Sequence, residues 1–268
     1  KNLLEEVITD MINNRLNEYS KKAECDYAAA GCYFGDFLVS KTKDAFNINI
    51  VPKADTKAAV EDALAVVARA LKTGFTDSEL ARVRDEIISQ LEKAYNEREK
   101  TNNDALASEL IRHFVDNEPA PGPEIELQIA RQILQMIPVQ AINQMCQEVL
   151  TPNNQVIVES IPKKEPSGLL GENVMVGIVD SALNATYEAY VDEVITDPLI
   201  ASLPKPGSVK STSENAEFGT TTFTLSNGIK IHIKQTDYKP NTISMEARSW
   251  GGTSLYPDND YINSGNAD

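Results

Sequence analysis

The stretch HFVDN, residues 113 to 117, places a histidine three residues before a carboxylate and four before an asparagine. With glutamate at 116 and histidine at 117 it would read H-x-x-E-H, the helical motif by which one class of zinc peptidases holds its metal. A zinc site needs three protein ligands, and Asn117 is a poor one, so His113 and Asp116 fall short of a closed or catalytic centre. Leu110 and Phe114 form an apolar i, i+4 pair, so that His113 is expected to border a buried stripe, and the helix runs at once into NEPAPGP. The simplest role for His113 is therefore that of a helix-terminal imidazole, favoured by the macrodipole and with Asp116 as a partner within reach. His232, the other histidine of two, alternates onto the polar face of a hairpin strand with no acid at ligand spacing, and reads as a surface residue. No G-x-S-x-G, Walker, Rossmann or EF-hand pattern occurs. The acidic run DEIISQLEKAYNEREK reads as a solvated helix face laced with i, i+4 pairs.

The elements that would position these residues follow from periodicity. Leu4, Val7, Ile8, Met11, Ile12, Leu16 and Tyr19 recur at helical spacing over residues 2–19. Residues 25–40 and 45–52 read as strands, the second alternating Phe46, Ile48 and Ile50 with Asn47 and Asn49. A helix over 55–72 stops at Gly74, and the next opens at Thr76 with Glu79 three residues on, a capping box, and runs to 99. Helices are expected over 103–117, 124–136 and 138–150, the last starting on Pro138. QVIVESIP, 155–162, is expected to close the block as a strand. Strands, a run of helices and a returning strand predict an α+β fold, an antiparallel sheet with helices packed on one face.

Composition then shifts. Pro166, Pro198, Pro204 and Pro206 punctuate residues 163–217, which read as a linker containing one helix with Leu183, Tyr187, Tyr190, Val191 and Val194 on one face. From 218 a hairpin is expected, with Phe223 and Leu225, an Asn227-Gly228 type I′ turn, and Ile229, Ile231 and Ile233, followed by a strand through Ile243, Met245 and Ala247. The expected division is 1–162, 163–217 and 218–268, the last an incomplete domain.

The chain has 268 residues, 41% of them hydrophobic, and a formal charge of −15. Such an acidic surface repels phosphate backbones and anionic lipid, which argues against nucleic-acid and membrane-surface functions. No apolar run approaches the roughly 18–20 residues that span a bilayer. The sequence opens without Met inside an apparent helix, which is expected of a piece of a longer protein. Cys25, Cys32 and Cys146 lack C-x-x-C spacing and read as buried thiols, and the residues leave a Cys25–Cys32 bridge open.

Four stretches carry a resemblance. ELIRHFVDNEPAPGPEIELQIARQILQMIPVQAINQM, with its helix ending in R-H-F before an acidic Pro-Gly turn, resembles the bacterial long-chain branch of the pitrilysin-like (insulinase) zinc metallopeptidases. EEVITDMINNRLNE is similar to the early helix of that family's second domain, TDPLIASLPKPGSV to the joint between its halves, and LSNGIKIHIKQTDYKPNTISMEARSWGGTSLYPDNDY to the start of its third domain. The resemblance implies four homologous α+β domains in two halves closing around a peptide, with zinc held in the first domain, upstream of Lys1. Residues 1–162 would be the second, non-catalytic domain. No catalytic or metal ligand is then expected in this chain, and NSGNAD offers no histidine where the third domain's slot would fall. Zinc is implied for the parent only, and a peptide substrate and the other family domains as partners. The implied role is a chamber-forming segment of a zinc metalloendopeptidase, with Pro198, Pro204 and Pro206 as hinge candidates. The alternative is a segment of an inactive homologue acting as a structural or binding subunit. A periplasmic or cell-envelope location for the parent rests on the bacterial branch alone.

Overall fold

The computed structural model describes residues 3–37, 40–149, 154–161, 169–192, 200, 202–237, 243–260 and 262. The fold is α+β, and the chain divides into two compact units, Lys1–Ser202 and Leu203–Asp268.

In the first unit, helix α1 (Leu3–Ser20) buries Val7, Ile8, Met11, Ile12 and Leu16, the stripe its 3.6-residue period dictates. It lies against an antiparallel pair, β1 (Tyr27–Phe37) and β2 (Ser40–Pro52). Cys32 opposes Ile48 and Phe34 opposes Phe46, and these side chains share the core face with Ala30 and Ile50. A register shift between Tyr27 and Ala29 reverses the inward parity, so that Tyr27 is buried as well. Its phenol donates to the Leu16 carbonyl at 2.6 Å, and burial raises its pKa. Asn13 of α1 bonds both backbone groups of Cys32, at 2.7 and 3.1 Å, and so satisfies one point on the outer edge of β1.

Helix α2 (Thr56–Thr73) is N-capped by Asp55, which accepts from Ala58 N, and packs small residues, Ala59, Ala63 and Ala70, into the core. Helix α3 (Asp77–Glu97) begins with the Thr76/Glu79 capping box, both of whose bonds form. Helix α4 (Asn103–Asp116) buries none of its residues, against the expected buried stripe through Leu110 and Phe114: Leu110, Ile111 and Phe114 stand 63%, 61% and 87% exposed. Helix α5 (Pro123–Met136) buries Leu127, Ala130 and Leu134, and packs on α3. Helix α6 (Val139–Val149) buries Ile142 and Cys146, and α7 (Glu172–Asn184) lies on α2. Cys25, Cys32 and Cys146 are all buried free thiols, which resolves the open bridge between the first two. Burial pushes the Cys32 and Cys146 thiols up to about 12.

The second unit is a three-stranded antiparallel sheet, β3 (Val209–Asn215), β4 (Thr220–Leu225) and β5 (Lys230–Ile233), in that order. None of its described residues is buried.

Several expectations need correction. Residues 155–161 form no strand: an extended chain needs a ladder partner, and none pairs with this segment among the described residues. Val156 and Val158 are accordingly exposed, and Pro162 lies outside the described residues. The helix between 163 and 217 is α7, which ends at Asn184; Tyr187, Tyr190 and Val191 follow it in non-helical backbone, and Val194 lies outside the described residues. The hairpin turn is not type I′, because Gly228 has positive φ (89°) and Asn227 does not. Gly228 N donates to Leu225 O and Leu225 N to Ile229 O, the signature of a three-residue loop ending in a left-handed glycine. Ile243, Met245 and Ala247 form no strand, and residues 263–268 lie outside the described residues.

Candidate functional site

His113 sits at the exposed C-terminal end of α4, where Asn117 adopts the left-handed conformation (φ 54°, ψ 28°) that closes a helix. Its Nδ1 lies 2.7 Å from the Glu118 carbonyl oxygen, which can only accept, so Nδ1 carries the proton and donates. Arg112 Nε meets Glu118 Oε2 at 3.0 Å, and the two side chains on either side of Asn117 thereby clasp the helix end. The imidazole partners a backbone carbonyl here, and Asn117 serves as a cap. Among the described residues no group of three or more His, Cys, Asp or Glu could hold a metal ion. The described residues therefore do not fit a zinc centre. His232 Nδ1 lies 2.8 Å from the Thr222 hydroxyl, its cross-strand neighbour, on exposed sheet. Pro204 and Pro206 are exposed and lie in no helix or strand, and Pro198 lies outside the described residues. No helix among the described residues is long and apolar enough to cross a membrane.

The concentration of polar chemistry lies elsewhere, around Arg15. Arg15 occupies the inward stripe of α1, three and four residues after Ile12 and Met11, and is 4% exposed. Its Nε reaches Glu79 Oε1 at 2.7 Å and its Nη2 reaches Glu79 Oε2 at 3.0 Å, a bidentate pair buried at both ends. Nη2 also donates to the Gly74 carbonyl at 2.8 Å. Glu79 Oε2 accepts in addition from Thr76 N and Thr76 Oγ1, so one carboxylate caps α3 and neutralises α1. The guanidinium is layered between the rings of Phe75 and Tyr190, at 4.5 and 4.1 Å.

Tyr190 belongs to a strap, residues 185–192, that leaves α7 and crosses α1, α2 and α3. Lys72 Nζ donates to the Ala185 carbonyl at 2.7 Å, and Arg69 to the carbonyls of Glu188 and Ala189 at 2.9 and 3.0 Å. The Tyr190 hydroxyl donates to Glu18, and burial together with this bond raises its pKa. Asp192 forms a bidentate clasp with Arg82, at 2.7 and 3.0 Å, and accepts from the Ser78 hydroxyl. The Arg82 guanidinium first, and then the Ser78 hydroxyl, hold the Asp192 carboxyl below its ordinary range. Sequence reasoning singled out Glu79 only as a cap. The available signal was an arginine in register with Ile8, Met11 and Ile12, a position where an unpaired charge is not tolerated.

No family model matches the chain. It is 30% identical over 197 residues, 74% of its length, to a zinc protease described as PQQL-like from Arabidopsis thaliana, of which it covers 21%. A probable zinc protease PqqL from Haemophilus influenzae is 20% identical over 265 residues, 97% of this chain and 28% of that protein. The crystal structure of the periplasmic protease PqqL from Escherichia coli superposes with a TM-score of 0.59 at 19% identity, covering 89% of this chain and 26% of that one. A predicted insulinase-family protease from Yersinia pestis gives a TM-score of 0.57 at 15% identity over 68% of this chain and 38% of that one. The two structures share the fold. The chain spans less than a third of the length of the two sequence relatives, and it is on these findings a relative of the PqqL-like zinc proteases of the pitrilysin/insulinase family.

Proposed function

We propose that this chain is a non-catalytic central segment of a zinc-dependent metalloendopeptidase, forming part of the substrate chamber and the hinge between two halves. In this reading residues 1–162 are the second domain, 163–217 the linker and 218–268 the opening strands of the third, with the end of the linker, β3, paired onto those strands. The observation that carries it is the 197-residue likeness to a zinc protease, in a chain whose described residues offer no metal-binding group. The apolar arc of α4 supports it as well: Leu110, Ile111 and Phe114 are left in water by unit 1, as suits a helix that belongs to a larger body. Zinc chemistry, peptide substrates and the remaining domains belong in this reading to the parent.

Two experiments test it. Metal analysis of the dialysed chain is expected to find well under one zinc per molecule, with no cleavage of peptides. One tightly held zinc per chain would return His113 to candidacy as a ligand and remove the reading. In the parent, replacing Pro198, Pro204 and Pro206 together with glycine frees three fixed φ angles in the joint. Closure positions the peptide, and misplacement alone costs up to about 100-fold in rate. The triple variant is expected to keep its zinc content and to cleave peptides about tenfold more slowly. Equal rates in variant and parent, on short and long peptides alike, would reduce the joint to a tether.

A further inference from the structure

We propose that the furrow on α1, α2 and α3 is a docking site for an extended peptide bearing an aromatic residue two places before an acid, and that residues 185–192 occupy it as a releasable latch. The furrow reads its occupant by three separate chemistries. Lys72 and Arg69 donate to backbone carbonyls, which any extended peptide presents. The Arg15 guanidinium, backed by Phe75, offers a flat cationic floor for one ring, here that of Tyr190. Arg82 and Ser78 grip a carboxylate two residues further on, here that of Asp192. Spacing supplies the specificity, because an extended chain sets residues two apart about 6.5–7 Å from one another.

Release follows from how the latch is held. No residue from Ala185 to Asp192 is buried, and none belongs to a helix or strand. Its attachments are ion pairs, hydrogen bonds and ring stacking at a partly wet surface. Such segments open at far lower free energy than the core beneath them. The floor stays in place when the latch leaves, since Arg15 is fixed independently by Glu79 and Gly74. Undocking frees about eight residues, each spanning at most about 3.3–3.6 Å, which lengthens the connector by on the order of 26–29 Å. In the parent this added reach would set how far the halves can part, a consequence that rests on the proposed function. The docking itself does not, and is tested on this chain alone.

Three variants of the whole chain are compared: Arg82→Glu, Asp192→Arg, and the two together. Arg82 is half-exposed and lies outside the core, so the thermal melting of Arg82→Glu is expected to be unchanged. Cleavage after Glu188 by a glutamate-specific protease is expected to rise at least fivefold in each single variant and to return towards the parent rate in the double variant, whose clasp is reversed in sign. A fluorescent peptide of residues 185–192 is then added to the unsubstituted chain and to a Tyr190→Ala/Asp192→Ala chain. Binding is expected only to the second, in the micromolar range, weakening at high salt, with a scrambled peptide inert. Unchanged Glu188 cleavage in the single variants, no recovery in the double, or equal peptide binding by both chains would overturn the latch. Loss of zinc or activity from the parent leaves these readouts untouched, so the two proposals fail separately.

Discussion

Replacing Arg15 with alanine is expected to destabilise unit 1 by about 3–5 kcal/mol. The loss does not measure the attraction between Arg15 and Glu79. It measures what is left behind: a carboxylate 5% exposed, with its counter-charge gone, and the Gly74 carbonyl without its donor. Phe75 and Tyr190 lose the plane between them at the same time. Removing both charges tells these causes apart. Arg15→Met with Glu79→Gln keeps the volume, leaves an amide able to accept at the helix cap, and is expected to recover most of the stability. Urea unfolding followed by circular dichroism measures both. A loss under about 1 kcal/mol in Arg15→Ala would mean that the pair behaves as an exposed salt bridge.

Gly74→Ala is expected to cost about 3 kcal/mol or more, from two separable causes. Gly74 closes α2 at φ 79° and ψ −171°, a conformation costing a side-chain-bearing residue on the order of 1–3 kcal/mol. A Cβ there would also stand 2.7 Å from the Cγ and Nδ2 of Asn143. That carboxamide is not free to move, because it accepts from Phe75 N at 2.7 Å and donates to Phe75 O at 3.2 Å. Displacing it loses two hydrogen bonds of about 1 kcal/mol each. On an Asn143→Ala background the same substitution is expected to cost only the backbone strain. Additive losses across this double-mutant cycle would show that the two sites do not press on each other.

Much of this architecture is legible in the sequence because local and tertiary preferences agree. The stripe of α1, the Thr76/Glu79 cap and the Gly74 stop all appear where pattern and propensity point. The strap is where they disagree. Leu183, Tyr187, Tyr190 and Val191 recur at helical spacing, yet the helix ends at Asn184. Beyond it, Arg69 and Lys72 offer donors to carbonyls that a helix would have satisfied internally. Tyr190 finds Arg15, and Tyr187 stands near Lys72, so each ring meets a cation. Periodicity cannot register cations lying more than a hundred residues away along the chain. Strand β3 was hidden for the opposite reason: VKSTSEN is polar on both faces, and it is a strand by virtue of its pairing with β4. Residues 155–161 show the converse, a β-prone run without a ladder. At the candidate site, the partial zinc motif was readable as partial, since Asn117 cannot replace a histidine. The Arg15 centre was not, because its members come from three stretches far apart in the chain: Arg15, residues 74–79 and Tyr190.

The three thiols make the chain its own reporter. All lie in unit 1, and the second unit contains no cysteine. Alkylating reagents attack the thiolate, a form that burial withholds from Cys32 and Cys146 at any ordinary pH. The rate at which an alkylating dye attaches therefore counts excursions of one unit and is blind to the other, without an introduced label. Cys146 sits on α6 and Cys32 on β1, so the order in which they react distinguishes a helix lifting away from a sheet coming apart.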